Sequence, residues 1–362
     1  MSDPAPPAAR APSAPPTAPR VTVSLVTWNG LRWLPGCLEA LAAQDLDGGL
    51  AAIELLVTDN GSADGSAAWL ADELPRRFPA ATLIRESRNL GYAPAHDRHI
   101  LAARGDAVLL LNQDLELDPG FLRAALAVLD ADPRVAAVQG RIGRLAGPGA
   151  RLATLDTTGL VMARDRRVVS RGQGEPDGPD HARPGPVWGV DGPAPVYRRS
   201  ALSAVRLPSR EGGLEVLDRD FFAYKEDVDL SWRLGRLGWR AWYAPDARAW
   251  HGRGASASIS AGGAGIDLGS LRQARAAVPG PVKARSWGNQ RLMQLKNDPL
   301  EAVLRDLLPI VRREAGSLAF AIVADRAVLR GIPRMLRGVP WALRKRRALD
   351  RLVRSGRARP PA

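Results

Sequence analysis

The chain has 362 residues, 45% of them hydrophobic and 25% charged, enough for one large α/β domain with appendages or two modest domains, each burying a real core. A single cysteine, Cys37, excludes an internal disulfide framework and fits a reducing, cytoplasmic setting. The net charge of +13 is uneven: residues 275–362 hold 20 Lys and Arg against six Asp and Glu, while the first 274 hold 31 against 32, so the tail is the part suited to an anionic surface.

Residues 1–20, MSDPAPPAARAPSAPPTAPR, lack an apolar run and read as a disordered lead-in, not a signal peptide. From Val21 short β-rich runs alternate with helical ones: VTVSLVT, then 31–43; IELLVTD, then 63–77; ATLIRE, then 94–104; DAVLLLN, then 119–131; and VAAVQG. Strands separated by helices of this length imply right-handed crossovers and a mostly parallel, Rossmann-like sheet. Cys37 falls within the first helix and reads as a small buried hydrophobe.

In such a sheet ligands sit beyond the carboxyl ends of the strands. There the first strand ends at Thr27, Trp28 and Asn29, the second at Asp59, Asn60, Gly61 and Ser62, and the fourth at Asn112, Gln113 and Asp114. Amides, hydroxyls and two carboxylates on one edge suit a nucleotide with a metal-bound diphosphate. The same DNGSADGS stretch is also a good Asx turn and helix cap. Neither the glycine-rich dinucleotide fingerprint nor a P-loop is present, so another arrangement must hold the nucleotide.

Beyond residue 140 the composition turns loop-rich, with LVMARDRRVVSR forming a candidate hairpin and VWGVDGPAPVYRRSAL a strand leading to a helix. A helix then opens at Glu226 with Asp227 and Asp229 in its first turn, where the helix dipole favours acids; capping explains one acid but not three. Facing a cleft, Glu226 or Asp227 would be a general base. Trp232, Leu234 and Leu237 supply apolar positions behind it. The extended segment WRAWYAPDARAWH delivers His251 into a Gly-rich turn, HGRGAS, as a metal or phosphate contact. His96, His99 and His181 lack metal-ligand spacing and read as surface or local hydrogen-bonding groups.

The pieces VSLVTWNG, DNGSADGS, RNLGYA, LLLNQDLELDPGFL and FFAYKEDVDLSWRLGRLGWRAWYAPDARAWH, in that order, resemble glycosyltransferase family 2, inverting enzymes of GT-A fold, over about residues 20–260. The resemblance implies that Thr27, Asn29, Asp59, Asn60, Asn89, Gly91, Asn112 and Gln113 meet a nucleotide sugar. It further implies that Asp114 and His251 hold a divalent metal, Mg2+ or Mn2+, and that Asp227, beside Glu226, is the catalytic base. Trp188, Asp191 and Trp232 are candidates for the acceptor side. The family often has Asp where Asn112 stands, and after NLGY the residues Pro94, His96 and Asp97 depart from its small residues and Asn in a region that lines the donor pocket. The motif order is similar to the rhamnosyltransferase-type branch, implying a dTDP- or UDP-linked donor and a glycan or polyprenyl-linked acceptor in cell-wall or surface polysaccharide assembly.

The expected organisation is a catalytic domain over 21–265, its nucleotide half ending near 140, followed by a basic amphipathic helical extension over 266–362. Pro333 and Pro340 are read as breaks in that extension, and its longest apolar stretch, AGSLAFAIVA, is too short to span a bilayer. Leucines and valines interleaved with arginines suit an anionic leaflet, with the chain peripheral on the inner face of the cell membrane; the competing reading is a charged helical pair packed on the catalytic domain. Two other functions stand beside transfer of a sugar: a sugar nucleotidyltransferase, for which TWNGLRWLPG is a poor match to the required loop, and a non-catalytic anion binder. The balanced front segment argues against nucleic acid as a partner.

Overall fold

The computed structural model describes residues 18–252 and 278–361. Most of the expected lead-in, the HGRGAS turn beyond Gly252, and the start of the extension therefore lie outside the described residues. The first half runs β1 (Val21–Thr27), α1 (Leu34–Ala42), β2 (Ile53–Asp59), α2 (Ser66–Arg77), β3 (Thr82–Arg85), α3 (Tyr92–Ala102), β4 (Ala107–Asn112), β5 (Leu115–Leu117), α4 (Phe121–Ala131) and β6 (Val135–Gly147). All four of these helix starts lie two or three residues from the expected ones, and for α2 and α3 the reason is local. Asp64 Oδ1 accepts from the Ser66 backbone N–H at 3.0 Å, so SADG stays a turn and α2 begins after it. Helix α3 begins two residues early because Pro94 still falls in its first turn, where no backbone donor is needed.

The second half adds β7 (Ala150–Thr157), the expected hairpin β8 (Leu160–Met162) and β9 (Val168–Ser170), then β10 (Gly185–Val187), β11 (Val196–Arg198) and α5 (Arg199–Ala204). A small ladder of β12 (Leu207–Pro208) and β13 (Leu214–Glu215) precedes α6 (Glu226–Arg236) and β14 (Arg240–His251). The main sheet has the order β10-β14-β6-β11-β4-β1-β2-β3. Strands β3, β2, β1 and β4 are mutually parallel, β14 is parallel to β6, and β11 is inserted antiparallel to both β4 and β6. One face packs on α1, α2 and α4 through Leu25, Leu38, Leu70, Leu111 and Phe121; the other takes Ile100, Tyr197, Leu202, Leu230 and Leu234.

The C-terminal helices are α7 (Gly280–Asn297), α8 (Leu300–Arg305), α9 (Leu307–Val323) and α10 (Ile332–Ser355). Leu349 of α10 belongs to the second core, and Leu292 and Met293 of α7 join Phe221, Val228 and Trp232 in a third. Buried ion pairs tie the same helices down. Lys345 Nζ reaches Glu215 and Asp218 at 2.6 Å, and Lys296 Nζ reaches Asp229 at 2.8 Å and also Asp218. These two helices therefore pack on the front segment, as the competing reading of the tail has it. Pro340 does not break α10: burial of Ala342, Lys345, Ala348 and Leu349 carries the helix through it. Among the described residues no helix is long and apolar enough to cross a membrane. Cys37 is buried, as expected.

Candidate active site

The parallel register sets Thr27 opposite Asp59 and Val26 opposite Asn112, so the three polar strand ends open on one edge. Asp59 Oδ2 accepts from the Ser62 backbone N–H at 3.1 Å, while its buried Oδ1 has no protein partner, the condition of an acceptor aimed at a ligand. The indole of Trp28 stands half exposed at the same rim, a stacking surface. Other residues expected to touch the ligand are instead occupied in holding the rim. Gln113 Oε1 accepts from Thr27 Oγ1 at 2.6 Å and from the Trp28 N–H at 2.8 Å, tying β1 to the tip of β4. Asn29, at φ 52°, accepts from the Ala63 N–H at 2.8 Å through Oδ1. Asn60 Nδ2 donates to Asn89 Oδ1 and to the Gly91 carbonyl, both at 3.1 Å, and Asn60 Oδ1 accepts from the Leu90 N–H at 2.9 Å. Asn60 and the side-chain oxygens of Asn89 and Gln113 are thus engaged in holding the rim together. Gly91 has φ 97°, and a Cβ there would lie 2.5 Å from the Phe222 carbonyl oxygen, so its role too is close backbone approach.

The second corner forms where β5 folds straight back onto the end of β14, pairing Leu115 with His251. That pairing sets Asp114 Oδ1 3.3 Å from His251 Nε2. Asp156, from β7, reaches the other ring nitrogen, Oδ2 to Nδ1, at 2.8 Å. Burial alone would lower the His251 pKa, but the charges and hydrogen bonds of Asp114 and Asp156 outweigh it and raise it to about 10. With the His251 proton displaced, an imidazole oriented by Asp156, the Asp114 carboxylate and the buried, unpartnered Asn112 Oδ1 two residues before it form an oxygen-and-nitrogen donor set that fits a divalent ion. Among the described residues no three His, Cys, Asp or Glu converge on one point, so an ion there would need ligand oxygens to complete its shell.

The third corner is acidic. Asp227 Oδ2 accepts from the Gly192 N–H at 3.1 Å, and Asp227 shares a side-chain hydrogen bond with Asp191. Asp191 in turn accepts from Ser170 Oγ at 2.5 Å, and its own N–H donates to Gln139 Oε1 at 2.6 Å. Burial first, and then the Asp191 charge, push the Asp227 carboxyl above its usual range; burial and Asp227 do the same to Glu226. Glu226 Oε2 is buried without a partner. Asp229 is different: it pairs with Arg233 at 3.0 Å and accepts from Asn297 Nδ2 at 2.6 Å, so the third acid of the helix is structural. The loop feeding the helix is strained, with Phe222, Tyr224 and Lys225 at φ 66°, 74° and 78°. A run of contacts joins this corner to the sheet edge, since Asn60 holds the Gly91 carbonyl and the Ala93 N–H donates to the Phe222 carbonyl at 2.9 Å.

Several expectations change here. Trp232 lies in the third core, packed edge-on to Trp188 with ring centroids 6.2 Å apart, so core packing is a sufficient reason for it. Trp188 is half-buried. His96 and His99 are not surface groups: both are fully buried and bond Ser24 Oγ at 2.7 Å. Asp97 accepts from the Val216 and Leu217 N–H groups and from Arg219, while His96 is engaged at Nδ1 only, its buried Nε2 having no protein partner. Asp156, Tyr92 and Tyr197 were not found from sequence; the two phenols are buried, unpartnered, and close enough to Glu226 and Asp227 to feel their charge. RNLGYA pointed near Tyr92, but nothing local marks Asp156 or Tyr197.

The model of the family described as "Glycosyl transferase family 2" matches residues 22–205. Among curated proteins, the chain is 30% identical over 223 residues to an N-acetylglucosaminyl-diphospho-decaprenol L-rhamnosyltransferase of Mycobacterium tuberculosis, covering 55% of this chain and 66% of that one. It is 28% identical to an N-acetylglucosaminyltransferase of Mesorhizobium japonicum, over 64% of this chain and 51% of that one. The chain thus spans about half to two thirds of these relatives' lengths. Among solved structures, S. aureus TarS residues 1–349 in complex with UDP-GlcNAc matches at TM-score 0.52 and 15% identity, over 94% of this chain and 87% of that one. GalNAc-T7 with UDP, GalNAc and Mn2+ matches at 0.54 and 14%, over 77% and 52%. At these identities the likeness is one of fold, the GT-A arrangement.

Proposed function

The chain belongs to glycosyl transferase family 2 and is a glycosyltransferase, and from that premise we propose that it moves one sugar, with inversion, from a nucleotide-diphosphate donor to a hydroxyl of a glycan acceptor. The observation that carries this reading is the Asp227–Asp191 pair at the strained start of α6, a carboxylate whose raised pKa keeps it basic enough to accept a proton near neutrality. Asp227 takes the proton of the acceptor hydroxyl as that oxygen bonds to the anomeric carbon; the bond from that carbon to the diphosphate breaks, and its electron pair leaves with the nucleotide. Asp59 Oδ1 and Trp28 offer an acceptor and a stacking face to the nucleoside. Asp114 and His251 would hold a divalent ion, Mg2+ or Mn2+, with Asp156 fixing the imidazole. When bound, that ion supplies positive charge against the charge developing on the diphosphate.

The donor is a dTDP- or UDP-linked sugar, with rhamnose the first choice, supported by the mycobacterial relative's name and the motif order. That name also supports a polyprenyl-diphosphate-linked acceptor, and with such an acceptor the chain would work peripherally on the inner face of the cell membrane. The test is turnover of wild type and Asp227→Asn across a panel of sugar nucleotides, with and without chelator. Turnover on one donor, abolished by chelator and reduced about 100-fold or more in the variant, is expected. Full activity in Asp227→Asn removes the base, and chelator-resistant turnover removes the metal.

A further inference from the structure

Of the large hydrophobic side chains that stand exposed among the described residues, most fall on one element pair: Leu300 and Leu304 of α8, and Leu307, Leu308, Val311, Leu318, Ile322 and Val323 of α9. On α9, Leu307, Leu308, Val311, Leu318 and Ile322 fall within about 100° of one another around the helix axis, the width of a stripe that ordinarily faces a core. Here it faces outward. Leu308 is 78% exposed, and Ala321 is the only buried residue of α9 among those described. Helices α7 and α10, by contrast, spend their apolar and charged groups inward. Behind the pair lies an apolar groove of about 600 Å³, lined by Leu292, Leu295, Val303, Ile310, Met335 and Val339 among others, so the pair is not pressed onto a dense core.

We infer that the outward face of α8 and α9 is a membrane-docking surface that enters the headgroup region of an anionic lipid leaflet. The charge around it selects that occupant. Arg305 and Arg312 are exposed on the pair itself, and Arg326, Arg330 and Arg337 are exposed just beyond it. On the pair itself Glu301 is also exposed and Arg305 pairs with Asp306 at 3.1 Å, so the cationic excess at this face comes from Arg326, Arg330 and Arg337. An apolar stripe edged by arginines is the pattern of a helix lying in the interface plane, leucines among the acyl chains and guanidinium groups at the phosphates. This deepens the proposed peripheral position by moving its contact from the basic C-terminal helix, which packs on the front segment, to the α8–α9 face.

The experiment is co-sedimentation of the full chain with vesicles of phosphatidylglycerol and phosphatidylcholine, against phosphatidylcholine alone, for wild type, for Leu308→Ser/Ile322→Ser, and for Leu152→Ser/Leu214→Ser as exposed apolar controls elsewhere. Wild type and control are expected to partition onto the anionic vesicles. The α9 double variant is expected to lose about ten-fold or more of that partition with its melting temperature unchanged. Wild type remaining in the supernatant overturns the inference, as does a double variant that sediments like wild type. A vesicle-free dimer in sedimentation velocity that the same double variant abolishes also overturns it, since a second copy would then be the partner of the stripe. The readout needs no sugar nucleotide, so its failure leaves the transfer reaction standing, and inactivity on every donor leaves the lipid contact standing.

Discussion

Asp227 lies within hydrogen-bonding reach of the Gly192 and Val228 backbone N–H groups and of the Asp191 carboxyl, and its charge is partly offset by Lys225. A carboxyl whose folded pKa lies above its unfolded value binds its proton more tightly in the fold, so its contribution to stability falls as pH climbs from about 4 through the raised value. Asp227→Asn removes that penalty. The variant should therefore gain on the order of 1 kcal/mol over wild type at pH 8, with little gain at pH 4, while losing transfer. Urea unfolding at the two pH values checks this; destabilisation at both would show that the carboxylate is needed for the fold. Asp114, Asp227 and His251 were legible as candidates because each lies at or beside the end of an element whose pattern is clear. Asp156 was not, because it meets His251 from β7, 95 residues away, and no spacing reports such a pair. Asn60, Asn89 and Gln113 were legible as rim residues but not as struts, since sequence cannot show which hydrogen bonds an amide spends at home.

At the scale of elements, the alternation of strand and helix was readable up to β6, because buried strands appear as unbroken apolar runs. The role of the tail was not. Its excess of +14 looked like a free cationic surface, yet Lys296 and Lys345 neutralise Glu215, Asp218 and Asp229 of the front segment, so part of the asymmetry is internal pairing. Helix α7 also reaches the site. Asn289 Nδ2 donates to the carbonyls of Phe221, Ala223 and Tyr224 at 3.1, 3.0 and 2.8 Å, across the loop that holds three left-handed residues before Glu226. Each such residue stores on the order of 1 kcal/mol that surrounding contacts must hold. Asn289→Ala should relax the loop, swing Asp227 away, and lower kcat about ten-fold with little change in KM for the donor, whose contacts lie at the sheet edge. Equal losses in kcat and in the yield of folded protein would make Asn289 a purely structural residue.

For the molecule as a whole, the arrangement fixes a direction of approach. The charge of Arg313 on α9 is felt at Lys225, next to Glu226 and Asp227, so α9 borders the flank that holds the candidate base, with the apolar stripe turned outward on the side of the helix opposite Arg313. If α8 and α9 rest in an anionic leaflet, an acceptor hydroxyl carried on a membrane-embedded lipid is delivered to that flank at high local concentration, whereas a water-soluble acceptor arrives only by diffusion. Guanidinium–phosphate attraction weakens as the Debye length falls from about 10 Å at 0.1 M salt to about 3 Å at 1 M. Turnover of a polyprenyl-linked acceptor in phosphatidylglycerol-containing vesicles should therefore fall several-fold over that salt range and also when phosphatidylcholine replaces the anionic lipid. Turnover of the same glycan without its lipid should change little in either case. Parallel salt curves for the two acceptors would place the salt sensitivity in nucleotide binding instead, and the flank would then have no part in presenting the acceptor.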